Sequence, residues 1–291
     1  MKTRALGACE IAAVVESVMP FRSPADMYPD VTEEMVEKHM HWMAPDYFDT
    51  ESGKMLFAFQ SYVVKTPRLN ILVDACIGED KERPGRPHWH RQKTPWLGNL
   101  KAAGMTPEDI DIVMCTHLHI DHVGWNTQLK DGRWVPTFPN ARYVFSEKEY
   151  RHWESMLGNS EIGDNVFNDS VLPVVEAGCA DLVRDDHEID HGIVLEPTPG
   201  HTPGHVALNL ESEGDKALFT GDLFHHPLQI YEPDLSSGLC TDQDLSRKSR
   251  YDFCGKYGDT DALVIPAHFT GTTCGHIRTQ GDKWRFDFVE A

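Results

Sequence analysis

Thr116-His117-Leu118-His119-Ile120-Asp121-His122-Val123-Gly124 follows directly on the apolar run Ile110 to Cys115. Three imidazoles and a carboxylate within six residues exceed what a packed interior can satisfy, because a buried polar group costs free energy unless it is paired. The stretch therefore asks for a cation. His117 and His119 stand two apart, so at the end of a strand covering Asp111 to Cys115 they leave on the same side and can reach one ion. Asp121 and His122 follow after a turn, at the expected start of a helix, and point elsewhere, which suggests a second ion beside the first. A merely histidine-rich loop is the competing reading, and the ordered spacing behind an apolar strand argues against it.

Working outward, 291 residues suffice for a full core, and with no linker or internal repeat the chain reads as one domain over residues 1–291. Hydrophobic residues at 40% and charged residues at 25% are ordinary for a soluble globular protein. The net charge of -19, from 46 acidic and 27 basic residues, argues against a groove that neutralises phosphates, so no nucleic-acid partner is expected. Seven scattered cysteines without a Cys-x-x-Cys pair read as reduced, buried residues. Glu10 and Glu16 interrupt the first apolar run, which is unlike a signal peptide, and no stretch has the length of a membrane span. The expected location is cytoplasmic, away from membranes.

Residues 6–16 read as an opening strand, which Pro20, Pro24 and Pro29 then interrupt. A helix follows with Asp30 or Thr32 as its cap. Met35, Met40, Trp42, Met43, Tyr47 and Phe48 within residues 20–50 form an apolar-aromatic cluster, read as plain packing or as a lid or homodimer arm. Asp74 closes the apolar run Asn70 to Val73, where a carboxylate is out of place unless it holds something, such as a ligand histidine. Residues 78–98 read as a solvated loop with Trp89 or Trp96 as pocket wall. Asp131-Gly132 marks a hairpin turn. Later strands end or begin beside His205 in the loop Thr198 to His205, beside Asp222 after Gly221, and beside His268 after Ala262 to Ile265. Strands carrying ligand groups at one end, with helices between, indicate a layered α/β sandwich with a site at a sheet edge.

His117-x-His119-x-Asp121-His122, His205 in a Pro-Gly-His loop, Asp222 and His268 come in the order of the metallo-β-lactamase superfamily, which this chain resembles from residue 6 to about 270. The resemblance implies an αββα sandwich with two divalent ions at one edge of the paired sheets. Zinc is the first expectation, and manganese, iron and cobalt suit the same donors. By that analogy one ion takes His117, His119 and His205, the other takes Asp121, His122 and His268, and Asp222 bridges them.

Within the superfamily, Asp222 in place of a cysteine is unlike the true zinc β-lactamases, and His119 is unlike the glutamate of the flavodiiron proteins. The best resemblance is to the quorum-quenching lactonases and the methyl parathion hydrolase-like enzymes. The lactonases carry a tyrosine three residues beyond the bridging aspartate, where this chain has His225, a feature closer to the second group. The implied reaction is attack of a metal-bridging hydroxide on a lactone or carboxylic ester, a small-molecule substrate, with phosphotriester cleavage as the alternative. Asp121 would pass a proton to the leaving group and His225 would donate a hydrogen bond to the substrate oxygen. His201 and His226 read as bystanders. A β-lactamase, a nuclease of the RNase Z type and an iron-dependent sulfur dioxygenase rank below these.

Overall fold

β-Branched and aromatic residues on a two-residue period make strands of much of the chain. The computed structural model describes residues 3–159 and 165–289. Residues Lys2–Ser17 with Phe59–Asp185 form one unit, and Val18–Ala58 with Asp186–Ala291 form the other.

The first sheet is built from β1 (Arg4–Leu6), β2 (Cys9–Arg22), β3 (Phe48–Asp49), β4 (Lys54–Lys65), β5 (Asn70–Val73) and β6 (Ile112–Met114). A separate hairpin, β7 (Thr127–Lys130) and β8 (Arg133–Pro136), precedes β9 (Arg142–Ser146) and β10 (Ala180–Val183). The order is β1-β2-β4-β5-β6-β9-β10, with β3 on β4. β5, β6, β9 and β10 run parallel, with Val73 beside Met114, so the chain leaves β5 and β6 on the same edge. Asp74 and the run from Thr116 therefore emerge together at carboxyl ends of parallel strands, where α/β sheets place their ligands. The second sheet runs in chain order through β11 (Glu188–Asp190), β12 (Ile193–Pro197), β13 (Val206–Ser212), β14 (Asp215–Phe219), β15 (Leu263–Ile265), β16 (Gly275–Gln280) and β17 (Lys283–Phe288).

The helices are α1 (Pro24–Met27), α2 (Glu33–Met43), α3 (Trp96–Ala102), α4 (Glu147–Ser155), α5 (Leu172–Glu176), α6 (Leu228–Tyr231) and α7 (Gln243–Tyr257). Of the two expected caps, Thr32 serves α2, its hydroxyl accepting from Met35 N at 3.2 Å, with Glu33 and Glu34 in the favourable first turn. Ser146 and Asp242 start α4 and α7 in the same way. In the aromatic cluster of residues 20–50, Trp42 stacks on Tyr231 at 4.5 Å and His39 bonds Glu232 at 2.9 Å, which fastens α2 to the end of α6. No helix among the described residues is long and apolar enough to cross a membrane. The cysteines are free, and all but Cys179 are buried.

Three local expectations differ from the structure. β2 runs through Pro20 to Arg22, since a proline fits extended backbone and lacks only a donor. Asp121 and His122 start no α-helix; only a 3-10 turn at Gly124–Asn126 follows. The donors that would build a helix go elsewhere, Gly124 N to Cys76 O at 2.7 Å and Trp125 N to Ala75 O at 2.6 Å. The segment 78–98 is solvated along its rim, as expected, but it is rooted in the interior. Lys81 and Arg83 are fully buried, Arg83 binding Asp169 through both oxygens at 2.6 and 2.9 Å. The Lys81 ammonium donates to Thr127 Oγ1 at 2.6 Å and lies 3.7 Å from the Trp134 ring centre. Burial pulls its pKa down to about 7. Trp96 is a core residue, stacked on Trp125 at 5.1 Å.

Segment 75–78 and the turn at Gly124 pass so closely that a Cβ on Gly124 would stand 1.8 Å from Ile77 O. Gly124→Ala should cost about 3 kcal/mol or prevent folding, because backbone cannot yield as a side chain can. Gly98→Ala, inside α3 with nothing within 4 Å, should stabilise by about 0.5–1 kcal/mol. Urea midpoints of the two variants read both signs.

Candidate active site

In the first unit the expected donors lie side by side. The His117 and His122 rings are 4.0 Å apart, His117 Nε2 is 3.0 Å from His119 Nδ1, and Asp121 Oδ1 is 3.9 Å from His122 Nε2. Behind them stands Asp74, in the left-handed region at φ +58° and buried. Its carboxylate accepts from Thr116 N at 2.7 Å and from the Thr116 hydroxyl, and lies 2.9 Å from His122 Nδ1. Because the carboxylate can only accept, Nδ1 of His122 carries the proton and Nε2 is left as the donor atom toward an ion. Thr116 gives its hydroxyl proton to Asp74, which leaves an oxygen lone pair 3.1 Å from His117 Nδ1. The two histidines are thus set in the same tautomer from behind.

Two buried glutamates complete the support. Glu149, at the start of α4, accepts from Leu118 N at 3.1 Å and from Trp153 Nε1 at 2.7 Å. Glu16 accepts from Ile77 N at 2.9 Å, Gly78 N at 3.1 Å and Trp125 Nε1 at 2.7 Å, holding segment 75–78 against the turn after His122. Burial outweighs those donors and pushes its carboxyl up to about 7.

In the second unit Asp222, just after β14, is the centre. His268 Nε2 lies 2.9 Å from Oδ1, while His201 Nε2 and His225 Nε2 lie 3.2 and 3.4 Å from Oδ2. His268 Nδ1 is 2.9 Å from Ala58 O, an acceptor, so the proton of a neutral ring sits on Nδ1. Its Nε2 lone pair then faces a carboxylate oxygen, an arrangement that needs a cation between, a proton or a metal ion. His205 is set likewise: its Nε2 accepts from Asp222 N at 3.0 Å, which puts the proton on Nδ1, 2.8 Å from Thr198 Oγ1. To bind an ion through Nε2, His205 must release that backbone N–H. His201, read from the sequence as a bystander, faces the carboxylate of Asp222.

His225 is buried, and burial pulls its pKa down to about 4, so its ring is neutral. Gln229 Oε1 accepts from its backbone N–H at 2.8 Å and lies 3.3 Å from Nδ1. The amide is oriented by its own donation to Leu235 O at 2.9 Å, so Nδ1 holds the ring proton and Nε2 is an acceptor. His226 turns away, with Nε2 at 2.9 Å from Tyr47 O.

These donors fit divalent ions: neutral imidazoles presenting Nε2, and carboxylates, the set that borderline cations such as zinc take. The sequence pointed to the histidines and to Asp74. It gave no role to Glu16, although Glu16 falls in phase with Val14 on the buried side of β2, which was the available signal. Glu149 offered none beyond its place in a helix's first turn.

The sequence pattern of the metallo-beta-lactamase superfamily matches residues 60–268. An N-acyl homoserine lactonase of Bacillus thuringiensis is 31% identical over 146 residues, covering 47% of this chain and 51% of the relative. The N-acyl homoserine lactonase AttM of Rhizobium radiobacter is 28% identical over 127 residues, 42% of this chain and 44% of the relative. The chain thus spans about half the length of the curated relatives it matches. Two solved structures share the fold over nearly its whole length. The hydrolase AbOPH of the beta lactamase superfamily has a TM-score of 0.82 at 23% identity, covering 99% of this chain and 97% of its own. AidC, a dizinc quorum-quenching lactonase, has a TM-score of 0.79 at 20% identity, covering 100% and 97%.

Asp74→Ala should weaken metal binding about 10–100-fold, since His122 loses the group that orients it, and competition with a chelator measures this. Glu16 makes a second prediction. Its pKa rises from an ordinary 4.5 to about 7 on folding, so its contribution is largest below pH 4.5 and is lost as the pH rises through 7. Between pH 5 and 8 the wild type should lose up to about 3 kcal/mol that Glu16→Gln does not lose, read from urea denaturation at both pH values.

Proposed function

Because the chain belongs to the metallo-β-lactamase superfamily, we propose that it is a metal-dependent hydrolase that opens lactones or closely related carboxylic esters. The observation that carries the proposal is the buried carboxylate of Asp222 with three imidazole nitrogens within 3.4 Å, two of them deprotonated by their own hydrogen bonds. The lactonase names of the curated relatives support the lactone as substrate. We propose His117, His119, Asp121, His122, His205, Asp222 and His268 as the ligands of two divalent ions, with zinc as the expected metal. His201 is the alternative to His205 in this set. When bound, the ions would lower the pKa of water and polarise the substrate carbonyl.

The remaining work falls to the protein's own groups. Asp121, whose carboxylate lies beside His122, would take up a proton and return it to the leaving alkoxide. His225, neutral with its proton on Nδ1, offers Nε2 as an acceptor, so it would orient a hydroxyl or amide N–H of the substrate. Phosphotriester cleavage, the alternative that His225 suggested from the sequence, is not favoured by the curated relatives, which are named as lactonases.

The test is a panel of γ-lactones, aryl esters, phosphotriesters and β-lactams against the zinc-loaded chain. Lactones or aryl esters should turn over fastest, activity should vanish on chelation and return with zinc, and Asp222→Ala should lose both metal and at least about 10³-fold in kcat/KM. Full turnover by the metal-depleted chain, or a profile confined to β-lactams, would sink the proposal.

A further inference from the structure

The Pro-Gly loop that carries His201 is pressed onto the start of α7. Asp242 N donates to Gly200 O and Thr241 N to His201 O, both at 2.9 Å, and Ser249 Oγ donates to Pro199 O at 2.6 Å. Gly200 sits at φ +127°, where a Cβ would stand 2.2 Å from Ser246 N, so backbone meets backbone with no side chain between. This docking brings Cys240 Sγ to 3.5 Å from His201 Nδ1, with both residues buried. The opposite ring nitrogen, Nε2, lies 3.2 Å from Asp222 Oδ2. A thiol, an imidazole and a carboxylate thus stand in line within the second unit.

One proton decides what that line does. The Cys240 thiol has a single hydrogen, and Ser246 Oγ accepts it at 3.5 Å. Ser246 Oγ is itself fixed, accepting from Arg250 Nη1 at 2.7 Å, and Arg250 is tied in turn to Leu235 O at 2.8 Å. With the thiol proton directed to Ser246, the sulfur turns a lone pair to His201 Nδ1, so Nδ1 is the donor and carries the ring proton. The Nε2 lone pair then faces a carboxylate oxygen, the same arrangement that calls for a cation at His268. His205 is not presented in this way, because its Nε2 accepts from Asp222 N.

We propose that Cys240 is a positioning residue for the metal centre, its sulfur accepting the Nδ1 proton of His201 and so turning the Nε2 lone pair to a divalent ion beside Asp222. The assignment rests on the metal-dependent reading and is independent of the substrate. Zinc affinity, measured by competition with a chelator, tests it. Cys240→Ala should bind zinc about tenfold more weakly than the wild type, while Cys240→Ser, which keeps an acceptor, should retain most of the affinity. In a chain that already carries His201→Ala, Cys240→Ala should cost nothing further, because the thiol acts through that ring. Equal affinity in the wild type and Cys240→Ala, a Cys240→Ser as weak as Cys240→Ala, a tenfold loss that recurs without His201, or no zinc binding by the wild type overturns the assignment. So does a metal-free Cys240→Ala that melts several degrees below metal-free Cys240→Ser, since lost packing would then explain the effect. The expected order of affinities in a zinc-loaded chain that leaves γ-lactones intact supports the assignment while defeating the lactonase reading. Lactone turnover with equal affinities does the reverse.

Discussion

A carboxylate that can only accept fixes which nitrogen of an imidazole is free, and Asp74 does this for His122 while also gripping Thr116 N and its hydroxyl. The same device recurs with other oxygens. Thr116 stands behind His117, Thr198 behind His205 and Ala58 O behind His268. In each case Nδ1 is turned to an oxygen and carries the proton, so Nε2 keeps its lone pair, which in His205 is taken by the Asp222 N–H. Burying Asp74 is costly, and the cost is met by those hydrogen bonds in a left-handed backbone that only a tightly packed neighbourhood sustains. The close pass of Gly78 and Gly124 supplies that packing.

What could be read from the sequence was local. The donor run from His117 to His122 shows itself because four polar residues follow an apolar strand, and Asp74 shows itself because a carboxylate ends another. The Asp131-Gly132 turn does form, both residues at positive φ between β7 and β8. What escaped depends on partners far along the chain. Lys81 and Arg83 looked like surface charges until Asp169 came to meet them. The turn at Met27 and Tyr28 sits among prolines and acidic residues that signal a loop, and Gly238, whose N–H donates to Met27 O, lies more than two hundred residues away. His201 and His205 stand in one repeated Pro-Gly-His context, so spacing cannot say that one ring lies at the Asp222 carboxylate and the other at its backbone N–H; the orientation of the loop decides.

One fold of this kind serves several hydrolytic chemistries, and the chain's likeness to solved structures at 20% and 23% identity is a matter of scaffold. Beside the expected metal ligands stand buried polar groups that are linked to one another. In the second unit these are wired through a single carbonyl: Leu235 O accepts from both Gln229 and Arg250, and Gln229 in turn sets the ring of His225. A shift of the Leu235 carbonyl would therefore move Gln229 and, through it, the ring of His225.

The segment 78–98 is anchored in two different ways, and the two respond differently to salt. Its rim is tied by exposed pairs, Lys93 with Asp80 and Arg91 with Glu82, which counterions screen within about 10 Å at 0.1 M. Its root, Lys81 and Arg83 on Asp169, has no solvent around it for ions to occupy. High salt would therefore loosen the edge of this segment and leave its attachment in place.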